Sequence, residues 1–173
     1  MVEKYTAGAD PEELLGQLIR DHSVAMYRVA VAIVRDHALA EDVTQESLVR
    51  AWLAIDSYRG EGGLRAWLLR ITHNTAVSML RKERDTAYDP SDLPERTDVR
   101  QADEAEVLDL RSALNEALDS LDPLNRAIVV LRDVEGRSYD EIAHILETTV
   151  SVVKSRLFRS RRRLERALRE VDR

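Results

Sequence analysis

From residue 11 to residue 84 apolar side chains return every three or four positions, and only one short loop interrupts them. That period is the helical one, and no stretch alternates with the period of two that a half-buried strand requires. Leu14, Leu15, Leu18, Ile19, Ala25, Met26, Val29, Ala30 and Ile33 describe one face of a first helix, about Pro11 to Arg35. Asp10, Pro11 and Glu13 supply an N-cap, a proline at the first helical position and a capping-box acid. Asp36 caps a second helix running to about Ile55, with Leu39, Val43, Leu48, Trp52 and Ile55 inward. Tyr58 to Gly63 holds Gly60, Gly62 and Gly63 and reads as a loop, because so many glycines do not sustain a helix. A third helix spans about Leu64 to Arg84, with Leu64, Trp67, Leu68, Ile71, Thr75 and Leu80 as its apolar stripe.

The pattern then breaks. Residues 85–109 carry nine acids against Arg96 and Arg100, with prolines at 90 and 94, and read as a flexible acidic tether. Periodicity resumes with Val107, Leu110, Leu114, Ala117, Leu118 and Leu121. Asp122-Pro123 opens a further helix that ends near Gly136, a C′ glycine. Ser138 and Glu141 form a capping box for Tyr139 to Leu146, Thr148-Thr149 is a turn, and Val150 to Val171 is the last helix. The expected fold is all-α: two small helical domains, 10–84 and 105–173, joined by an acidic linker at 85–104, the C-terminal one a helix-turn-helix.

Charge narrows the function. The net charge of −6 argues against bulk attraction to nucleic acid, but the charge is segregated. From Lys154 to Arg169 eight basic residues face Glu165 alone. A basic segment in an acidic chain is the footprint of local DNA contact. Behind a capped short helix and a tight turn, it has helix-turn-helix grammar. Ile142, Ala143, Ile145, Leu146, Val150, Val153 and Leu157 form the small core between the two helices. Ser151, Lys154, Ser155, Phe158, Arg159 and Arg162 then share the outward stripe. Lys and Arg can donate to guanine, serine hydroxyls suit phosphates or bases, and an exposed Phe can meet a thymine methyl. Arg161, Arg163 and Arg166 are expected on phosphates or in solvent.

Two more surfaces stand out. Arg70, Asn74, Val77, Arg81 and Arg84 lie on the third helix opposite its apolar stripe, an amide and arginines suited to base edges and phosphates. Asp42, Gln45 and Glu46 share a face of the second helix, where a partner's basic helix could dock.

There is no Cys, which removes disulfides, thiolate metal sites and thiol redox sensing by this chain. Neither a secretory signal nor a membrane-spanning apolar run is present, so the expected location is cytoplasmic. An enzyme finds no support. Glu141-x-x-His144 is a single Glu-x-x-His pair, whereas a carboxylate-bridged metal bundle needs two such pairs and two further acids. No catalytic residue, metal ligand set or cofactor is expected. A helix-turn-helix regulator with a helical sensor domain would explain the C-terminal half equally well, but not the Asp42–Glu46 face or the Asn74 helix.

In order, these motifs resemble the extracytoplasmic-function (ECF, group 4) sigma factors of bacterial RNA polymerase over nearly the whole chain. Asp42-Val43-Thr44-Gln45-Glu46 to Arg50-Ala51-Trp52 resembles the family's polymerase-binding helix. Tyr58-Arg59-Gly60-Glu61, Leu64, Trp67-Leu68, Ile71 and Asn74 resemble its promoter-melting and minus-ten segment. Leu121 to Leu131 and Ser138 to Leu164 resemble its minus-thirty-five segment. The resemblance implies that Asp42, Gln45 and Glu46 face the clamp coiled coil of the largest polymerase subunit, with the flap as a further contact. It implies that Tyr58, Arg59, Gly60, Arg70, Asn74 and Arg81 serve the minus-ten element, an unstacked base being captured by Asn74 and the Tyr58–Gly63 loop. The minus-thirty-five duplex would be read by Ser151, Lys154, Ser155, Phe158, Arg159 and Arg162. It implies promoter DNA and core polymerase as partners, an anti-sigma factor as a further one, and a tether threading toward the RNA channel. Ser151-Val152 stands where the family often has Gly-Thr and Glu147 where it often has Gly, departures that bear on the promoter sequence read more than on the mode of binding.

Overall fold

Side-chain caps set several of the helix starts. Asp36 accepts the Leu39 N–H at 2.7 Å and Asp122 that of Asn125 at 2.9 Å. Ser138 and Glu141 close a reciprocal box, Glu141 N to Ser138 Oγ at 3.2 Å and Ser138 N to Glu141 Oε2 at 2.7 Å. Each cap satisfies N–H groups that the first turn leaves unbonded, and removing one costs about 1 kcal/mol.

The computed structural model describes residues 11–60, 62–86 and 105–171. Outside them lie the Asp10 cap, Glu61 and residues 87–104 of the expected tether, together with the side chains of Leu14, Arg84, Val107 and Leu110. The described residues are helical, without strands, and run as α1 (Pro11–Val34), α2 (His37–Leu53), a 3-10 turn (Ile55–Ser57), α3 (Leu64–Thr86), α4 (Ala105–Asp119), α5 (Pro123–Val129), α6 (Tyr139–Ile145) and α7 (Val150–Val171). Beyond α5 the chain makes one π turn, Val130–Val134, in which Glu135 N–H reaches the Val130 carbonyl at 2.9 Å. Gly136 then ends the segment at φ +65°, the expected C′ role.

Helices α1, α2 and α3 pack pairwise into one helical unit, and α7 packs on α4, α5 and α6 to make the second. The interior faces differ from the expected stripes in an instructive way. On α2 the residues turned inward are Ala40, Val43, Thr44, Ser47 and Ala51, while Leu39, Leu48 and Trp52, and Ile55 in the 3-10 turn beyond it, are only half-buried. On α3 they are Ala66, Leu68, Leu69, Thr72, Thr75 and Ala76. Small residues let the helices approach closely. The hydroxyls of Thr44, Ser47 and Thr72 cost little there, because each bonds the carbonyl four residues back. Ile19 and Leu114, read as inward, are exposed at 41% and 40%; both sit on the rim of their stripe.

The two units are not held apart. Helix α5 and the π turn lie on α1, α6 lies on α3, and one buried apolar cluster runs from Met26, Val29, Leu68 and Leu69 through to Ile128, Leu131, Ile142 and Val153. Polar groups stitch the seam. Arg126, 7% exposed, donates to the carbonyls of Ala32 on α1 and of Leu118 and Leu121 beside its own helix. Arg35 pairs with Asp119, and the buried Glu135 carboxylate accepts from Arg28 and Arg65. Among the described residues the non-glycine positions with positive φ are Arg35 (+59°) and Glu147 (+50°), and both reach across this seam. That backbone region costs a residue with a Cβ about 1 kcal/mol.

Arg126→Met would keep the volume and remove the donors. Its expected cost is about 2–4 kcal/mol, since three carbonyls lose a charged partner. Urea denaturation of the full chain checks this; a loss under about 0.5 kcal/mol would mean that the carbonyls are satisfied without it.

Candidate nucleic-acid interface

The turn between α6 and α7 is built from backbone bonds. Thr148 N–H reaches the Ala143 carbonyl at 2.9 Å, and the Thr149 hydroxyl accepts Val152 N–H at 3.3 Å to start α7. Ile142, Ala143, Ile145, Leu146, Val153 and Leu157 are buried beneath it, and Val150 is half-buried. This core aims one stripe of α7 outward. Ser151, Lys154, Ser155, Phe158, Arg159 and Arg162 are all exposed, Phe158 at 62%. Arg162 lies over the Phe158 ring at 5.7 Å, and Arg159 Nε bonds the Ser155 carbonyl at 3.3 Å.

The rest of the basic run is sorted by what it touches. Arg161 pairs with Asp133, Arg163 donates to the Ser120 hydroxyl at 2.8 Å, and Arg156 reaches Asn125 at 3.2 Å. Arg161 and Arg163 stay exposed and at the same time pair within the domain. Their partners sit 28 and 43 residues away, beyond the reach of a local pattern. Tyr139 was missed as well. Arg132 lies 4.8 Å and Lys154 5.5 Å from its ring centroid, so it holds an ammonium of the outward stripe. An aromatic at the first position of the short helix is the signal that was present.

The α3 surface forms two openings. Tyr58 rests against Trp67, ring centroids 5.1 Å apart, and Gly60, Gly62 and Gly63 bend the loop before α3 with φ between +71° and +82°. Ser57, Tyr58, Arg59, Trp67, Arg70 and His144 line a cavity of about 130 Å³. Further along α3, a groove of about 590 Å³ is lined by His73, Asn74, Val77, Ser78, Arg81, Lys82 and Glu147. Tyr58, Arg59 and Arg70 thus share one opening, and Asn74 and Arg81 share the next. His73 Nδ1 lies 3.1 Å from Asn74 Oδ1. Burial draws the His73 imidazolium below its ordinary pKa, against the Asn74 hydrogen bond and the Glu147 charge.

Each opening has a wall that belongs to the other unit. Arg70 Nη1 lies 3.5 Å from His144 Nε2, and Asn74 Nδ2 donates to Glu147 Oε1 at 3.4 Å. Glu141 of the Glu141-x-x-His144 pair is spent on Ser138 and Arg137. Among the described residues no cluster of three or more His, Asp or Glu is placed to hold a metal.

The α2 face looks away from the seam. Asp42 and Gln45 are exposed, and Glu46 accepts from Arg50 at 2.7 Å. Val49, 53% exposed, and Leu53, 79% exposed, continue the same face as an apolar extension. No helix among the described residues is long and apolar enough to cross a membrane.

Two family models match the chain in order: Sigma-70 region 2 over residues 18–86 and Sigma-70, region 4 over residues 111–164. The chain is 38% identical over 103 residues to the ECF RNA polymerase sigma factor SigE of Mycolicibacterium smegmatis, covering 56% of this chain and 39% of that one. It is 34% identical over 115 residues to the ECF RNA polymerase sigma-E factor of Haemophilus influenzae, covering 60% of this chain and 61% of that one. These matches span less than two thirds of the relatives' length. Among solved structures, the sigma factor RpoE of Bartonella quintana, in complex with the anti-sigma factor NepR, superposes with a TM-score of 0.75 at 28% identity, over 91% of this chain and 98% of that one. CnrH, in complex with the cytosolic domain of CnrY, gives 0.67 at 27% identity, over 98% and 95%. With both regions present, in order and in the same fold, the chain belongs to the sigma-70 family, in its extracytoplasmic-function group.

Proposed function

We propose that this chain is a specificity subunit of bacterial RNA polymerase: it binds the core enzyme, reads minus-ten and minus-thirty-five elements, and so directs initiation to particular promoters. The observation that carries this reading is the sorting of the α7 basic run. Arg156, Arg161 and Arg163 brace the fold, and Lys154, Ser155, Phe158, Arg159 and Arg162 stay on one exposed stripe. A merely solvated basic helix has no reason to divide in this way. Phosphate contacts would set the register of α7 in the major groove, and Lys154 and Arg159 would donate to base edges.

On α3, Asn74 and the Tyr58–Trp67 corner would take an unstacked minus-ten base, the amide bonding its edge and the rings offering a stacking surface. Asp42, Gln45 and Glu46 would dock on the polymerase clamp, with Val49 and Leu53 adding apolar contact. The domain limits that follow are 10–84 for region 2, 85–104 for the linker and 105–173 for region 4. In this role the chain performs no chemistry of its own and works in the cytoplasm, where polymerase and chromosome are. An anti-sigma factor is the expected inhibitor, and the RpoE of Bartonella quintana was captured with one.

In vitro transcription with core polymerase over a genomic promoter library tests the whole reading. Defined start sites that depend on this chain are expected; a regulator of another sigma factor would give none without that factor. Lys154→Ala with Arg159→Ala should weaken binding to minus-thirty-five duplex by about 10- to 100-fold and leave core polymerase binding intact. Loss of polymerase binding instead would sink the assignment of α7. Asp42→Arg with Glu46→Arg should weaken core binding by about tenfold or more, with duplex binding by the full chain unchanged. Unaltered polymerase affinity in a pull-down would refute that docking face.

A further inference from the structure

The outward stripe of α7 is held in two different ways. Ser155 donates its hydroxyl to the Val152 carbonyl at 3.1 Å, Arg159 Nε bonds the Ser155 carbonyl at 3.3 Å, and the Arg162 guanidinium lies 5.7 Å from the Phe158 ring centroid. Each of these contacts lies within α7. The contact of Lys154 does not: its ammonium lies 5.5 Å from the ring centroid of Tyr139, the first residue of α6.

That ring is a fixed platform. Ser138 and Glu141 close their capping box around the turn that carries it. Tyr139 is half-buried and packs on the core. The Arg132 guanidinium lies 4.8 Å from the same ring centroid and is itself tied to the Arg137 carbonyl at 2.7 Å. Lys154 remains exposed, so the ring takes one side of its ammonium and leaves the rest open. A lysine needs such support more than an arginine does. Its ammonium is a point charge on a flexible four-carbon stem, without the planar fork that aims a guanidinium. At the edge of the major groove an unsupported ammonium meets phosphates as readily as bases, and a phosphate contact carries no sequence information. An aromatic face draws the ammonium to one position and lowers the ordering cost of meeting guanine O6 or N7.

On the minus-thirty-five role proposed above for α7, we propose that Tyr139 is a positioning residue that determines specificity: its ring holds Lys154 where it reads one base pair. Part of the promoter preference is then set from α6, outside the recognition helix. The ring face acts, and the hydroxyl is dispensable.

The first test needs only the wild-type chain. Its lysines are Lys4, Lys82 and Lys154, so selective labelling gives three ε-methylene signals in the NMR spectrum. The Lys154 signal, identified by its loss in Lys154→Ala, should lie upfield of the other two through the ring current of Tyr139. In Tyr139→Leu it should rejoin them. A wild-type Lys154 signal alongside the other two would overturn the proposal.

The second test reads promoter preference. Holoenzyme assembled from core polymerase and the full chain selects from a promoter pool with a randomised minus-thirty-five element. Lys154→Ala should relax the preference at one base pair. Tyr139→Leu should relax that same pair by about two- to fivefold and leave the other pairs unchanged. Tyr139→Phe, which keeps the ring, should restore the preference, and Tyr139→Leu added to Lys154→Ala should change nothing further at that pair. A merely structural role would weaken all sequences alike and would persist without Lys154. That result, or a Tyr139→Phe as damaging as Tyr139→Leu, would overturn the proposal. If Lys154→Ala relaxes no pair, the base-reading role of Lys154 falls with it; if Lys154→Ala relaxes one pair and Tyr139→Leu relaxes none, only the positioning role falls.

Discussion

A buried carboxylate must find cations, and Glu135 finds both of its own in the other domain. Its side chain is 1% exposed, and Arg28 on α1 and Arg65 on α3 donate to it. Left unpaired at that depth, the charge would cost of order several kcal/mol. The π turn before it is what delivers it there, since one extra residue in the turn shifts the chain end of α5 onto α1. Arg126 acts in the opposite direction, a buried guanidinium from region 4 that satisfies a carbonyl in the last turn of α1. The two groups make the seam a specified contact. Apolar burial alone would let the surfaces slide, because it is non-directional.

Helix placement was legible in the sequence because it depends on near neighbours. Asp36, Asp122 and Ser138 each cap the helix that their position announced, and the outward stripe of α7 follows from Val153 and Leu157 being inward. The interior faces of α2 and α3 were read less well. Large apolar residues were assigned inward, whereas Ala40, Ser47, Ala66, Thr72 and Ala76 take those places. A hydroxyl that bonds its own helix four residues back is apolar in effect, and hydropathy does not record that.

The seam was not legible at all. Arg28 and Glu135 are 107 residues apart, Arg65 and Glu135 are 70, and Asn74 and Glu147 are 73. No period or motif links such pairs, and each member alone looks like an ordinary charge on a solvated helix. Glu147 was visible only as an odd residue in a tight turn. What made it odd was the backbone of that turn, and its partner lies on a different domain.

Helix α6 therefore works on two sides. Ile142, Ala143, Ile145 and Leu146 support α7 from beneath, which the recognition stripe needs in any state. His144 and the turn residue Glu147 face α3, which matters only while the domains touch. The first role is stabilising whether the chain is closed or open. The second is made only in the closed arrangement, whereas the positive φ of Glu147 belongs to the tight turn itself, which Thr148 N–H closes onto the Ala143 carbonyl. A partner that opens the chain must prefer the open state by at least the free energy of the seam contacts it breaks, since a ligand shifts an equilibrium only by its differential affinity. Core polymerase meets that condition if its contacts on region 2 and region 4 are too far apart for the closed chain to make both.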